Sequence, residues 1–176
     1  METLFENLTT TIARDLKLNL TKLLDGGALA PDEAHLALLA AATNLEQTEL
    51  AAAAADRLAK LGVPNDHIQE ARQSAALVGM LNTYYRFRHF VGSQEEYRAA
   101  GLRMTVLAKP LLGKERFEML AFAVSVLNGC ESCVRAHEKT LRDGGISSEK
   151  VHDLAKLASV LKALRTLTQL VNSSKH

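Results

Sequence analysis

The sequence is poor in cysteine, proline and aromatic residues, and it contains no tryptophan. Its two cysteines cannot form the multiple disulfides that hold small secreted domains together. With 176 residues the chain can build one sizeable core without such links. Three prolines leave few helix breakers, while Ala and Leu dominate the composition, which favours helices. The sequence therefore predicts a single all-α domain over residues 1–176.

An excess of either charge and a long apolar run are also absent. The net charge is +1, from 21 basic and 20 acidic residues, which argues against a nucleic-acid or charged-membrane partner. No apolar run reaches the roughly 18 residues of a membrane span, and charged residues interrupt the amino terminus where a signal peptide would be apolar. We therefore expect a cytoplasmic protein, in which a close cysteine pair favours redox or metal chemistry over a structural disulfide.

Apolar residues recur with helical spacing along most of the chain. The spacing predicts an amino-terminal helix with an apolar stripe, an Ala-rich helix from Glu33 to Leu61 with a break near 43–49, and a helix after "GVPND". Three more helices follow Pro110, and Asp32 and the pair Ser147–Ser148 are predicted helix caps. The predicted stripe consists of Leu4, Leu8, Ile12, Leu16 and Leu20.

A shift of 83 positions aligns the two halves of the chain, for example Leu58 with Leu141 and Gly62 with Gly145. The shared order of helix, glycine, β-branched residue, polar cap and helix predicts an internal duplication, although chance matches are easy in a Leu/Ala-rich chain. The degenerate copy would span about 27–90 and the active copy about 110–171. The same shift aligns Cys130 with Gln47, so the first copy would lack the reactive groups.

Both cysteines lie in the stretch "NGCESCVRAHEKT", residues 128–140. If this stretch is helical, Cys130, Cys133 and His137 share one face. A cysteine in the first turn of a helix is stabilised as a thiolate, and His137 lies one turn beyond Cys133, where it could exchange a proton with that thiol. A Cys-x-x-Cys pair can close a disulfide with little backbone movement. The segment favours a thiol–disulfide site.

Three other interpretations of this segment stay open. The cysteines could be small buried apolar residues. Two cysteines and a histidine could be three zinc ligands, although the other five histidines are scattered and no second Cys-x-x-Cys exists. His137 could also be a solvated residue beside two active cysteines. Glu118, in the apolar run "KERFEMLAFAVSVLNGC", is either a helix-surface residue or, if it faces inward, a proton carrier.

The stretch "FEMLAFAVSVLNGCESCVRAHEKTLRDGGIS" resembles the core of the alkylhydroperoxidase D family, which is related to the carboxymuconolactone decarboxylases. Glu118, Cys130, Cys133 and His137 match the family motif, and the resemblance extends upstream through "NTYYRFRHF", "AGLRMTVLAKP" and "ARDLKLNL". It implies an all-helical fold with two internally repeated halves, assembled as a homotrimer.

The resemblance also implies an activity. The implied enzyme is a thiol peroxidase that reduces hydroperoxides. It would also reduce the oxidised form of a partner peroxiredoxin, alkyl hydroperoxide reductase C, with electrons from a dihydrolipoyl-carrying protein. No bound cofactor is implied beyond a redox-active Cys130–Cys133 disulfide. Cys133 would attack peroxide, Cys130 would resolve the sulfenic acid, and Glu118 and His137 would relay protons. Placement at the helix start alone favours Cys130 as the more acidic thiol.

One position departs from the family pattern. Some members carry a histidine between the cysteines, where this chain has Ser132. Any proton relay through that histidine is lost or weakened here, which bears on direct peroxidase activity more than on dithiol cycling. Two alternatives therefore stay open: a carboxymuconolactone decarboxylase-like enzyme that does not need the cysteines, and a redox adaptor with little peroxidase activity.

Overall fold

The computed structural model describes residues 9–92 and 95–173. Within these ranges the chain forms seven α-helices, one 3₁₀ turn and no strand, which confirms the all-α prediction. The helices are α1 (Thr11–Asp25), α2 (Pro31–Asn44), α3 (Thr48–Lys60), α4 (Asn65–Val91), α5 (Lys114–Asn128), α6 (Glu131–Asp143) and α7 (Ser148–Ser173), and the 3₁₀ turn is Thr105–Ala108.

Helices α2 and α5 form the centre of the fold. Residues 33–42 of α2 and 119–125 of α5 are all buried, as expected for helices that are apolar on every side. The two helices pack against each other, with α3 and α4 against α2, and α6 and α7 against α5. The carboxyl end of α5 therefore brings the cysteine segment to the edge of the core.

The predicted helix boundaries are mostly confirmed. The Ala-rich helix breaks at residues 45–47, between α2 and α3. Ser147 caps α7, because its hydroxyl accepts the Lys150 N–H at 3.3 Å. The prediction that Asp32 caps a helix is wrong. Proline 31 occupies the first position of α2, where its missing N–H has no consequence, and Asp32 instead forms an ion pair with Arg116.

The amino-terminal stripe is only partly confirmed. Leu20 is buried and Leu16 is half-buried, but Ile12 is 66% exposed. Helix α1 packs on α7, and its buried apolar residues lie mostly in its carboxyl-terminal half, so its first turn extends beyond the core. Leu4 and Leu8 lie outside the described residues.

The helix bounds agree with the shift of 83 residues. Applied to α3, the shift reproduces α6 at both ends, and α2 and α4 begin 83 positions before α5 and α7. Glu46 and Gly129, which the shift aligns, both have a left-handed backbone, with φ of 59° and 63°. The duplication, with copies at about 27–90 and 110–171, and the single domain over 1–176 stay predictions.

The described helices include none that is both long and apolar enough to cross a membrane.

Asp153 fastens the turn after α1 to helix α7. Its side chain is buried, its Oδ2 accepts the Ala28 N–H at 2.7 Å, and its Oδ1 forms an ion pair with Lys156. Gly27 lies so close that an added Cβ would come within 2.7 Å of the carboxylate. Burial raises the pKa of Asp153, but the hydrogen bonds from Lys156 and Ala28 and the nearby positive charges outweigh it and leave that pKa below its ordinary value.

Replacing Asp153 by alanine should lower the free energy of unfolding at pH 7 by about 1–3 kcal/mol, because the Ala28 N–H loses its acceptor. Since the folded-state pKa is lowered, the ionised carboxylate stabilises the fold fully above its ordinary pKa and loses that effect as the pH falls through the folded-state value. Urea unfolding should therefore show the difference between wild type and Asp153→Ala shrinking below about pH 4.

The matched control is Asp143→Ala, which removes an aspartate–lysine pair of 2.6 Å whose side chains are exposed on α6. That change should leave the urea midpoint nearly unchanged, because exposed pairs contribute little. Equal losses in the two variants would contradict the role assigned to Asp153.

Candidate active site

A tight turn joins α5 to α6 and sets the position of the cysteines. Gly129 adopts a left-handed backbone with φ of 63°, which costs a glycine little. The Gly129 N–H bonds to the Val126 carbonyl and the Cys130 N–H bonds to the Ser125 carbonyl, each at 3.2 Å. This pair of bonds is a Schellman motif, which satisfies the last carbonyls of α5 and allows α6 to begin two residues later.

The two cysteines lie at the start of α6 and form a disulfide with each other. Cys130 is the cap residue that precedes Glu131, and Cys133 is the third residue of the helix. Their Cα atoms are 5.2 Å apart, within the usual range for a disulfide. Cys130 is fully buried, whereas Cys133 is 6% exposed. Both cysteines therefore belong to the first turn, where free backbone N–H groups stabilise negative charge, and Cys133 is slightly less buried than Cys130.

Glu118 and His137 form a hydrogen-bonded pair beside this turn. The Nδ1 atom of His137 lies 2.7 Å from Oε2 of Glu118, and the two side chains are 25% and 22% exposed. A carboxylate can only accept, so Nδ1 carries the proton that it donates. This leaves Nε2 of a neutral imidazole free to accept a proton. His137 lies one helical turn beyond Cys133, on the same face of α6.

The four residues that the sequence singled out thus form two pairs, the Cys130–Cys133 disulfide and the Glu118–His137 hydrogen bond, and α6 links the pairs through His137, one turn beyond Cys133. Glu118 comes from α5, and the cysteines and His137 come from α6 or its cap. Glu118 also borders a cleft of about 470 Å³ between the start of α5 and the end of α6, lined further by Lys114 and Thr140. In residues 9–92 and 95–173, no group of three or more His, Cys, Asp or Glu side chains is arranged to hold a metal ion.

A cluster of three asparagines lies next to the turn between α5 and α6 and holds it in place. This cluster was not predicted from the sequence. Asn128, the last residue of α5, donates to Oδ1 of Asn82 at 3.0 Å and to Oδ1 of Asn44 at 3.2 Å. Asn82 donates in turn to Oγ of Ser125 at 2.9 Å, and Arg86 donates to the Asn128 carbonyl at 2.8 Å. These contacts join α2, α4 and α5 at the point where the chain turns toward Cys130.

A signal for this cluster was present in the sequence. Asn82 interrupts the apolar run "ALVGMLNTYY", and an amide inside such a run needs hydrogen-bond partners when it is buried. Asn82 is 1% exposed, and Ser125, whose carbonyl holds the Cys130 N–H, is 0% exposed. The partners come from three helices, so only the fold could identify them.

Comparison with known proteins identifies the family to which the chain is similar in sequence. The sequence model of the carboxymuconolactone decarboxylase family matches residues 97–172. The alkyl hydroperoxide reductase AhpD of Anaeromyxobacter dehalogenans strain 2CP-1 is 43% identical over 160 residues, which are 90% of this chain and 85% of the relative. The AhpD of Mycobacterium ulcerans is 39% identical over 163 residues (89% of each chain), and that of Gluconacetobacter diazotrophicus is 35% identical over 164 residues (93% and 90%). This chain belongs to the AhpD family. The assignment confirms the family resemblance carried by the cysteine segment, and it supports an AhpD-like function.

Replacing Asn82 by alanine should lower the free energy of unfolding by about 1–3 kcal/mol, because it removes the partner of the buried Ser125 hydroxyl and of one N–H of the half-buried Asn128. The turn should also loosen. Hydrogen exchange of the Cys130 amide, which bonds to the Ser125 carbonyl, should therefore become faster in Asn82→Ala.

The neighbouring Thr83→Ala is the control, since the exposed Thr83 hydroxyl bonds only to the Gly79 carbonyl of its own helix. It should change neither stability nor exchange appreciably. A Cys130 amide that exchanges at the wild-type rate in Asn82→Ala would rule out support of the turn by this cluster.

Proposed function

We propose that this protein is a thiol-dependent antioxidant enzyme that reduces hydroperoxides through a Cys130–Cys133 dithiol/disulfide cycle. In the cell it would reduce the disulfide form of a peroxiredoxin, alkyl hydroperoxide reductase C, with electrons from a dihydrolipoyl-carrying protein. The observation that carries the proposal is the Cys130–Cys133 disulfide at the start of α6, with the Glu118–His137 pair one turn away.

The oxidative half of the cycle begins at Cys133. The Cys133 thiolate attacks the terminal oxygen of the peroxide, the O–O bond breaks, and the alcohol leaves with a proton, so that Cys133 becomes a sulfenic acid. Cys130 then attacks this sulfur, and water leaves as the disulfide closes. The greater exposure of Cys133 supports this order, because a peroxide can reach its sulfur more easily than that of the fully buried Cys130.

Proton transfer would be the task of His137 and Glu118. Nε2 of His137 takes the thiol proton and later returns a proton to the leaving oxygen. Glu118 orients the ring through Nδ1 and stabilises the imidazolium that forms. The cleft beside Glu118 gives water access to the pair, so that protons can exchange with solvent.

We also propose a homotrimer. The end of α4 and the segment up to Pro110 leave large apolar side chains exposed, including Phe90 at 78%, Phe87 at 41% and Tyr97 at 38%. Phe87 and Tyr97 stack edge to face, with ring centroids 5.0 Å apart, so part of this surface is already ordered. Exposed apolar patches of this kind mark surfaces that bind other proteins. Contact between copies would cover it.

The function is tested by comparing the turnover of a free alkyl hydroperoxide with that of a disulfide-form peroxiredoxin, with a dihydrolipoyl protein as the reductant. Both should be turned over by the wild type, and neither by Cys130→Ser or Cys133→Ser. Cys130→Ser should form a trappable sulfenic acid with peroxide, and Cys133→Ser should not. The reverse trapping pattern would make Cys130 the attacking thiol.

Two other outcomes would replace the proposal. Turnover of the peroxiredoxin without turnover of free peroxide would make the protein a redox adaptor, in keeping with Ser132 at the position of the relay histidine. Turnover of neither, together with cysteine-independent activity on a small cyclic acid, would favour the decarboxylase named in the matching family model.

Glu118→Gln and His137→Phe should each slow peroxide and peroxiredoxin turnover by ~10²–10⁴-fold. This corresponds to a loss of about 3–5 kcal/mol of transition-state stabilisation. Because the two residues form one proton path, the double variant should be barely slower than the slower single variant. The loss of His137 should be the more severe, since Ser132 offers no second imidazole. Thiol counts should show that every variant still forms the disulfide.

Glu138→Gln, an exposed change beside His137, is the control and should retain wild-type rates. Rates near wild type in both single variants would make Glu118 a surface residue and His137 a bystander. Multiplicative losses in the double variant would mean two independent roles.

A further inference from the structure

The burial of the two sulfurs determines which of them a reductant can attack. Cys130 is 0% exposed and Cys133 is 6% exposed, so Cys133 is the less deeply buried of the two and the expected point of attack by an external thiolate. When that sulfur is attacked, the S–S bond breaks and its electron pair passes to Sγ of Cys130. The leaving group is therefore a thiolate that forms inside the protein, where an anion is unfavourable unless it receives hydrogen bonds.

The side chain of Ser132 provides such a hydrogen bond. Its Oγ lies 3.7 Å from Sγ of Cys130, close enough for a hydrogen bond to sulfur. In the disulfide Sγ has no proton, so the hydroxyl is the donor. Ser132 is the second residue of α6 and is exposed, and its hydroxyl points back to the cap residue. The Ser132 hydroxyl therefore contacts the sulfur, Sγ of Cys130, that receives the electron pair when the disulfide is reduced.

We infer that Ser132 is a catalytic residue of the reductive half-reaction, in which its hydroxyl stabilises the Cys130 thiolate as the leaving group. The inference rests on the dithiol cycle proposed above. The reductant's first thiolate forms a mixed disulfide with Cys133, and its second thiol then attacks the reductant's own sulfur. This step releases Cys133, and the reductant becomes a disulfide. Two electrons and two protons pass from the reductant dithiol to the protein thiols, and Ser132 is unchanged.

This role predicts a measurable shift in the disulfide equilibrium. A hydrogen bond to a charged group changes its stability by an amount close to a tenfold equilibrium ratio. Ser132→Ala should therefore make the Cys130–Cys133 disulfide about tenfold harder to reduce, a potential about 30 mV more negative. Reduction by dithiothreitol should slow as well, because a less stabilised thiolate is a poorer leaving group.

The pH dependence separates this role from a structural one. The hydroxyl stabilises the thiolate, so the difference between wild type and Ser132→Ala should be full at a pH where Cys130 is ionised. It should vanish in acid, where the thiol is protonated in both proteins. The other charged and titratable groups near this turn are His89, Glu131, Arg86 and the Glu118–His137 pair, and they are the same in wild type and Ser132→Ala.

The experiment is a redox titration of wild type, Ser132→Ala, Ser132→Thr and Ser159→Ala in buffers of reduced and oxidised dithiothreitol from pH 5 to pH 9. Ser132→Thr keeps the hydroxyl and should restore most of the wild-type potential. Ser159→Ala removes an exposed hydroxyl that bonds within α7 and should match wild type. An unchanged potential in Ser132→Ala, or a shift of equal size at every pH, would overturn the role of Ser132 while leaving the dithiol cycle intact. A wild-type disulfide that dithiothreitol cannot reduce, or that does not reform on oxidation, would overturn both.

Discussion

The turn between α5 and α6 is the constraint on which the rest of the site depends. A buried helix such as α5 could run on for many residues, but the chain must stop α5 and start α6 within two residues to bring both sulfurs to a helix amino terminus. The Schellman bonds to Ser125 and Val126 make this possible at the level of the backbone, and the asparagine cluster fixes it to the core. Because α6 starts here, His137 lies beside Glu118 on the preceding helix.

Two kinds of support act on this turn, and they differ physically. The backbone bonds are local and follow from a glycine that accepts a left-handed conformation. The amide contacts are long-range, since Asn44 and Asn82 come from α2 and α4. Asn82 is buried, and a buried amide is stabilising only when its partners are present, so these contacts favour one arrangement of the three helices. A single arrangement suits a site in which the two cysteine sulfurs must lie within bonding distance of each other.

Much of the fold and the disulfide pair could be predicted from the sequence, because both depend on local spacing. Helical periodicity located the break between α2 and α3, and the Cys-x-x-Cys spacing identified the pair that forms the disulfide. The failures share a cause. Burial of Ile12 depended on where α1 meets α7, and the asparagine cluster depended on contacts between distant helices. Ser132 was noted for the histidine it replaces, whereas its contact with Cys130 required coordinates.

The contacts of Asn44 limit which substitutions the first half of the chain can accept. The first half contains no cysteine, and under the shift of 83 residues it aligns glutamine and histidine with Cys130 and Glu118. A segment without reactive groups would ordinarily be free to drift in sequence, provided that its helices still pack. Asn44 ends α2 and exchanges two amide hydrogen bonds with Asn128, so substitutions in the first half reach the turn that holds the cysteines. The first half of the chain therefore helps to hold the cysteines in place, although it contains neither of them.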